Sequence, residues 1–71
     1  MEKEVFLKKL GKRIKQLRKE QNISQAELAR RCFKDRQYIE LIENSKVNPT
    51  VYTLHIIATA LNIKIEEILK Y

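Results

Sequence analysis

A chain of 71 residues that holds one glycine and one proline has few means of turning tightly. Glycine supplies left-handed backbone and proline fixes bends, so a sequence nearly free of both favours long regular segments joined by short links. Much of the remainder is Leu, Lys, Glu and Gln, which favour helix over strand. The apolar share of 44% separates the chain from a disordered basic tail, which would be poorer in Leu, Ile and Val. A chain this small hides only about 60% of its unfolded surface, so most apolar side chains are needed for the core and little is left for a catalytic pocket. The expectation is a single all-α domain spanning residues 1–71, a compact five-helix bundle.

Periodicity and capping residues place the helices. Phe6, Leu7, Leu10, Ile14 and Leu17 recur at three- and four-residue steps, predicting an amphipathic helix over about 4–20. Gly11 weakens that helix by up to ~1 kcal/mol relative to Ala, which predicts close approach by another helix. Ser24-Gln25-Ala26-Glu27 reads as a capping box, with Ile23 and Leu28 as its hydrophobic staple, opening a helix over 25–32. Asp35 caps a third over 36–44, with Ile39 and Ile42 facing inward. Asn48-Pro49-Thr50 then breaks the chain, and Thr50 caps a fourth over 51–61. Asn62 suits the left-handed position that follows, and a last helix covers 65–70.

Fifteen Lys and Arg against nine Asp and Glu give a net charge of +6, which favours a polyanionic partner over an acidic small molecule. The lone Cys32 excludes an internal disulfide and a cysteine zinc site, and it falls in the apolar row of its helix as a core residue. A reducing, cytoplasmic setting is expected. His55 has no second ligand at metal or triad spacing, and no phosphate loop, carboxylate pair or nucleophile motif is present. No enzyme activity, metal or cofactor is therefore expected. No apolar run approaches the ~20 residues of a membrane span, and Met1-Glu2-Lys3-Glu4 is not followed by a signal-peptide core.

Two short helices joined by a three- to four-residue link, inside a basic bundle, meet the requirements of a helix-turn-helix. In that arrangement the first helix crosses the phosphate backbone and the second lays its N-terminal side chains into the major groove. Arg36, Gln37, Glu40 and Asn44 share the polar face opposite Ile39 and Ile42. Arg and Gln can make bidentate contacts to guanine and adenine respectively. Glu40 either accepts from a cytosine amine or orients Arg36 one turn back. Leu41, at the edge of this face, is read as packing. Lys8, Lys9, Lys12, Arg13 and Lys15 are read as solvated surface; of the first helix, Lys15 and Lys19 are near enough to the groove to touch phosphate locally, and the others steer DNA from a distance.

The order Leu17-Arg18, Asn22-Ile23-Ser24-Gln25-Ala26-Glu27-Leu28-Ala29, Asp35-Arg36-Gln37-Tyr38-Ile39, Ile42-Glu43-Asn44, Asn48-Pro49-Thr50 and Ala60-Leu61-Asn62-Ile63 resembles the Cro/C1-type (XRE) helix-turn-helix family. The resemblance covers about residues 10–69. Its 35–44 stretch is similar to a pattern common in restriction-modification controller proteins. It implies a lambda-repressor-like DNA-binding domain in which Arg36, Gln37 and Glu40 face base edges. Gln25 would bind a phosphate and brace the recognition helix, while Asn44, Lys46 and Asn48 would line a backbone-contacting loop. Arg18 and Glu43 would form a structural ion pair. Many members carry Gly where Phe33 and Ser45 stand, so the turn here either takes another geometry or accepts the strain of a left-handed bulky residue.

Ile56 is out of phase with the Leu54, Ile57, Ala58 and Leu61 face of the fourth helix. With Tyr52 one turn earlier and Ile63 nearby, it predicts a two-fold interface that sets two recognition helices about 34 Å apart. The resulting expectation is a dimeric regulator of double-stranded DNA, acting on a pseudo-palindromic operator as a repressor or autoregulator, without a small-molecule effector or membrane association. The alternative is a protein-interaction module or antitoxin-type adaptor whose main partner is another protein.

Overall fold

Helix starts and stops are where the chain's local chemistry is most visible. The structure is a computed structural model that describes residues 2–70, with helices α1 (Lys3–Glu20), α2 (Gln25–Cys32), α3 (Arg36–Glu43), α4 (Val51–Ala60) and α5 (Ile65–Ile68). Three of them open on a side-chain cap. Ser24 Oγ accepts from the Glu27 amide at 3.0 Å, Asp35 Oδ1 from Tyr38 at 2.8 Å and Thr50 Oγ1 from Thr53 at 3.1 Å. Each satisfies an amide that a first helical turn leaves unpaired, a contribution of about 1 kcal/mol. The Glu27 carboxylate does not complete a reciprocal capping box; it is held by Arg30 and Arg31. Asn44, Leu61 and Leu69 are the C-caps of α3, α4 and α5, so these helices stop one or two residues short of the periodic pattern.

The scarcity of glycine does not remove left-handed turns from this chain. Asn22, Phe33, Ser45 and Asn62 all have φ of 57–58°, one after each of the first four helices. In every case the next residue's amide reaches back five positions: Ile23 to Arg18, Lys34 to Ala29, Lys46 to Leu41 and Ile63 to Ala58, at 2.8–3.4 Å. These are Schellman closures built without glycine. Asn tolerates this backbone, whereas a residue such as Phe33 is strained by it. Of the two geometries open at Phe33, the structure has the left-handed one, and the ring is left 94% exposed.

The core is one cluster fed by all five helices, with Leu10, Ile14, Leu28, Ile39, Ile42, Ile57, Leu61 and Ile68 fully buried. Cys32 is buried in it, and desolvation pushes its thiol pKa up. Side chains tie helix ends together: Arg13 Nε donates to the Glu67 carbonyl at 2.8 Å, Gln21 Nε2 to Leu61 at 2.6 Å and Arg31 Nη1 to Ala60 at 3.3 Å. Each takes up a carbonyl that a helix or its cap leaves over. No helix among the described residues is long and apolar enough to cross a membrane.

α1 and the end of α3 approach each other closely at Gly11. A Cβ on Gly11 would sit 2.6 Å from the Ile42 carbonyl oxygen and 2.7 Å from that of Glu43. Both obstacles are backbone, so neither can rotate away.

Two substitutions should therefore move stability against their usual direction. Gly11→Ala, which raises helix propensity, should destabilise the protein by about 1–3 kcal/mol through overpacking. Phe33→Gly, which deletes an aromatic ring, should stabilise it by about 0.5–1 kcal/mol, the left-handed strain less the entropy cost of glycine. Urea unfolding followed by circular dichroism reads both; a stabilised Gly11→Ala would mean that α1 and α3 are further apart than described.

Candidate nucleic-acid interface

The polar face of α3 is held in place from behind by charge. Arg18, late in α1, donates from Nε to Glu43 Oε2 at 2.7 Å and from Nη2 to Oε1 at 3.1 Å, and its Nη1 binds the Ile23 carbonyl at 2.8 Å. Both residues are buried, at 7% and 6% exposure. Gln25, the first residue of α2, adds a third donor to the same carboxylate, Nε2 to Glu43 Oε1 at 2.9 Å. No buried side-chain nitrogen or oxygen among the described residues lacks a partner. A buried bidentate pair with its remaining lone pairs satisfied is the condition under which such a charge pair holds its geometry.

The same glutamine continues outward. Its Oε1 accepts from Arg36 Nη1 at 3.3 Å, and Arg36 lies 3.6 Å from Glu40 Oε1, one turn further along α3. Five side chains thus connect the interior of α1 to the outer face of α3. Both ends of the Gln25 side chain are engaged within the protein, which makes it a brace between α2 and α3. Arg36 and Gln37 are exposed, Glu40 and Leu41 are half-buried, and Ile39 and Ile42 anchor the opposite side in the core. The first two turns of α3 therefore present Arg36, Gln37 and Glu40 to solvent.

Asn44, Lys46 and Asn48 are all exposed, on the link between α3 and α4. That link is fixed at one end by the Lys46 amide on the Leu41 carbonyl at 2.8 Å, and in its middle by Val47, which packs on the core. The geometry brings Asn44 together with residues that the sequence had placed at a distance. Lys8, Lys12 and Lys15 line a shallow hollow of about 320 Å³ with Glu43, Asn44 and Ser45. Their spacing is visible in the sequence, but the side of α1 that meets α3 is marked there only by Gly11 and the expected Arg18–Glu43 pair.

Tyr52, Ile56 and Ile63 do not form one bare patch. Tyr52 is 71% exposed, whereas Ile56 and Ile63 are half-buried against the core. Tyr52 and Ile56 instead share a hollow of about 560 Å³ with Phe33, His55, Thr59 and Ala60, and Ile63 is outside it. Phe33 was read from sequence only as a turn residue, and its exposed ring adds to this surface. Away from α3, the guanidiniums of Arg30 and Arg31 hold the Glu27 carboxyl below its usual range, and the Lys70 ammonium does the same for Glu67.

The sequence profile of the helix-turn-helix family matches residues 14–68. The immunity repressor protein of Bacillus phage phi105 is 39% identical over 59 residues, which is 83% of this chain and 41% of the repressor. The chain thus spans less than half the length of that relative. Among solved structures, the restriction-modification controller protein C.AhdI from Aeromonas hydrophila superposes with a TM-score of 0.85 at 34% identity, covering 87% of this chain and 94% of the controller. The controller protein C.Esp1396I, solved as a tetramer with its natural 35 base-pair operator, superposes with a TM-score of 0.79 at 34% identity, covering 92% and 96%.

Removing one partner of the buried pair should be costly. Arg18→Ala leaves Glu43 buried without its counter-charge, an expected loss of about 3–5 kcal/mol, against a total stability of about 4–11 kcal/mol for this length. Replacing both members by Arg18→Met and Glu43→Leu should recover much of that loss. Urea titration of the single and double variants measures the coupling; additive losses would show that the pair does not act as a unit.

Proposed function

The chain belongs to the helix-turn-helix family, in its Cro/C1-type branch, and from that premise we propose that it is a transcriptional regulator that reads double-stranded DNA by sequence. The observation that carries the reading is the braced presentation of Arg36, Gln37 and Glu40 at the exposed start of α3. Major-groove readout needs side chains of this kind on an element whose position is set before binding. A controller protein of the same fold, solved as a tetramer in complex with its operator, supports DNA binding by this chain.

In this reading α3 enters the major groove and Arg36 and Gln37 meet purine edges. Arg36 exchanges the Gln25 carbonyl and the Glu40 carboxylate for base acceptors; its existing contacts, at 3.3 and 3.6 Å on an exposed side chain, are weak enough to give up. Glu40 orients Arg36 or accepts from a cytosine amine. The unpaired amides at the start of α2, including that of Gln25, face a phosphate, and Asn44, Lys46 and Asn48 hold the neighbouring backbone. These contacts fix register, while the α3 side chains select sequence.

A second copy docks through Tyr52 and Ile56, with Ile63 at the margin, so that two α3 helices meet successive major grooves of a pseudo-palindrome. Occupancy of the operator is set by the protein's own concentration, without a small-molecule effector. The protein acts in the cytoplasm and represses by occluding the promoter.

Selection of bound sites from random duplex DNA tests this directly and should return a two-fold symmetric motif bound by two chains. On the recovered site Arg36→Ala should lose about 1–3 kcal/mol of discrimination against random DNA, whereas Lys46→Ala should weaken both about equally. No enriched motif, together with binding insensitive to salt, would overturn the proposal in favour of a protein-interaction module.

A further inference from the structure

The basic side chains divide by type. Every arginine is in an ion pair within the chain: Arg13 with Glu67, Arg18 with Glu43, Arg30 and Arg31 with Glu27, and Arg36 with Glu40. Among the described residues, Lys70 is the one lysine with a carboxylate partner, and Lys34 lies over the Tyr38 ring. The net positive field of this protein is therefore mainly a lysine field, and six of the ten lysines lie on α1. Lys8, Lys12 and Lys15 follow one another at steps of four and three, along a single edge of the helix. That edge lies beside Gly11 and Arg18, where α1 crosses the end of α3. It adjoins Asn44 and Ser45 across the 320 Å³ hollow. Glu43, the acid in that hollow, is buried and already held by Arg18 and Gln25, so it does not neutralise the three ammonium groups.

Resting on the DNA-binding reading above, we propose that Lys8, Lys12 and Lys15 form a second phosphate track, holding the stretch of duplex backbone that continues past Asn44 and Lys46. The dimensions fit. From Lys8 to Lys15 the helix rises about 10 Å, and one strand of duplex places a charge about every 3.4 Å along its axis, so the three lysines are spread over about three phosphate steps. Lysine suits this role because its ammonium is a mobile point charge that meets phosphate without demanding a fixed fork geometry. The track adds affinity and orientation and no base preference. It extends direct contact from Lys15 to Lys8 and Lys12, which the sequence alone gave only to long-range steering.

A charge-matched comparison tests the proposal on a 30-base-pair duplex of random sequence, since phosphate contact needs no operator. The track variant carries Lys8→Gln, Lys12→Gln and Lys15→Gln; the control carries Lys3→Gln, Lys9→Gln and Lys64→Gln, with the same loss of charge elsewhere. All six side chains are exposed, and thermal unfolding verifies that both variants fold. Neutralising three contacts should lower the slope of log affinity against log salt by about 2–3, with about tenfold or greater loss of affinity at 0.1 M salt. The control slope should change by less than about 1. Equal changes in the two variants would overturn the track while leaving DNA binding intact, because net charge would then account for both. Absence of salt-dependent duplex binding by the unsubstituted protein would instead remove the DNA-binding reading, and the track with it.

Discussion

The crossing of α1 over the end of α3 is the constraint on which the rest of the architecture depends. It combines two features that need each other. Gly11 lets the helices approach until a Cβ could not fit, and seven residues later Arg18 reaches across the same contact to Glu43. At that distance the guanidinium meets the carboxylate in a bidentate fork, and burial excludes the water that would weaken it. Desolvating two charges is expensive, and such a pair often adds little to net stability compared with apolar residues of similar size. Its value here is positional. Glu43 closes α3, so a fixed Glu43 fixes where α3 points, and Gln25 on the same carboxylate sets α2 against it. The angle between the two short helices is thus controlled from a third.

Much of the fold could be read from local chemistry, because each helix start carries its own signal. Ser24, Asp35 and Thr50 are short polar side chains before amphipathic runs, and each caps a helix through its own side-chain oxygen. Helix ends were less legible. Four left-handed closures are distributed over Asn22, Phe33, Ser45 and Asn62, and only Asn announces that backbone by type. Phe33 and Ser45 adopt it because the helices on either side fix the direction of the chain, which is a tertiary cause with no local marker. The same limit applies to Ile56: its phase on the helical wheel placed it outside the core, whereas packing against neighbouring helices half-buries it beside Tyr52 and Phe33. Periodicity locates a residue on its own helix, but the neighbours decide what covers it.

The division of labour between arginine and lysine has a physical basis. Arginine is planar and weakly hydrated, and it meets carboxylates through paired hydrogen bonds, so it can be used inside a fold. This chain uses it to join helices: Arg13 to α5, Arg18 to α3, Arg31 to the end of α4 and Arg36 to α2. Lysine stays hydrated on a flexible stem and is left on the surface. The formal +6 therefore overstates how evenly the protein would attract a polyanion. Internal pairing sets four carboxylates against the five arginines, and six of the ten lysines lie on α1, with Lys46 on the link after α3.

Arg36 is the exception that links structure to the proposed readout. It is the most weakly held of the arginines, by one long hydrogen bond to Gln25 and a looser pairing with Glu40, both exposed. Exposed pairs of this kind contribute about 0–1 kcal/mol, whereas a good bidentate contact to a base discriminates by about 1–3 kcal/mol. Under the proposed readout, a purine edge of the right pattern would outcompete the resting contacts, and the wrong base would not. Gln25 and Glu40 thus limit the side chain's freedom in the unbound protein without trapping it, which lowers the entropy lost on binding. The buried pair and the exposed one perform opposite tasks along a single relay: Arg18 fixes where the recognition helix lies, and Arg36 remains free to choose what it touches.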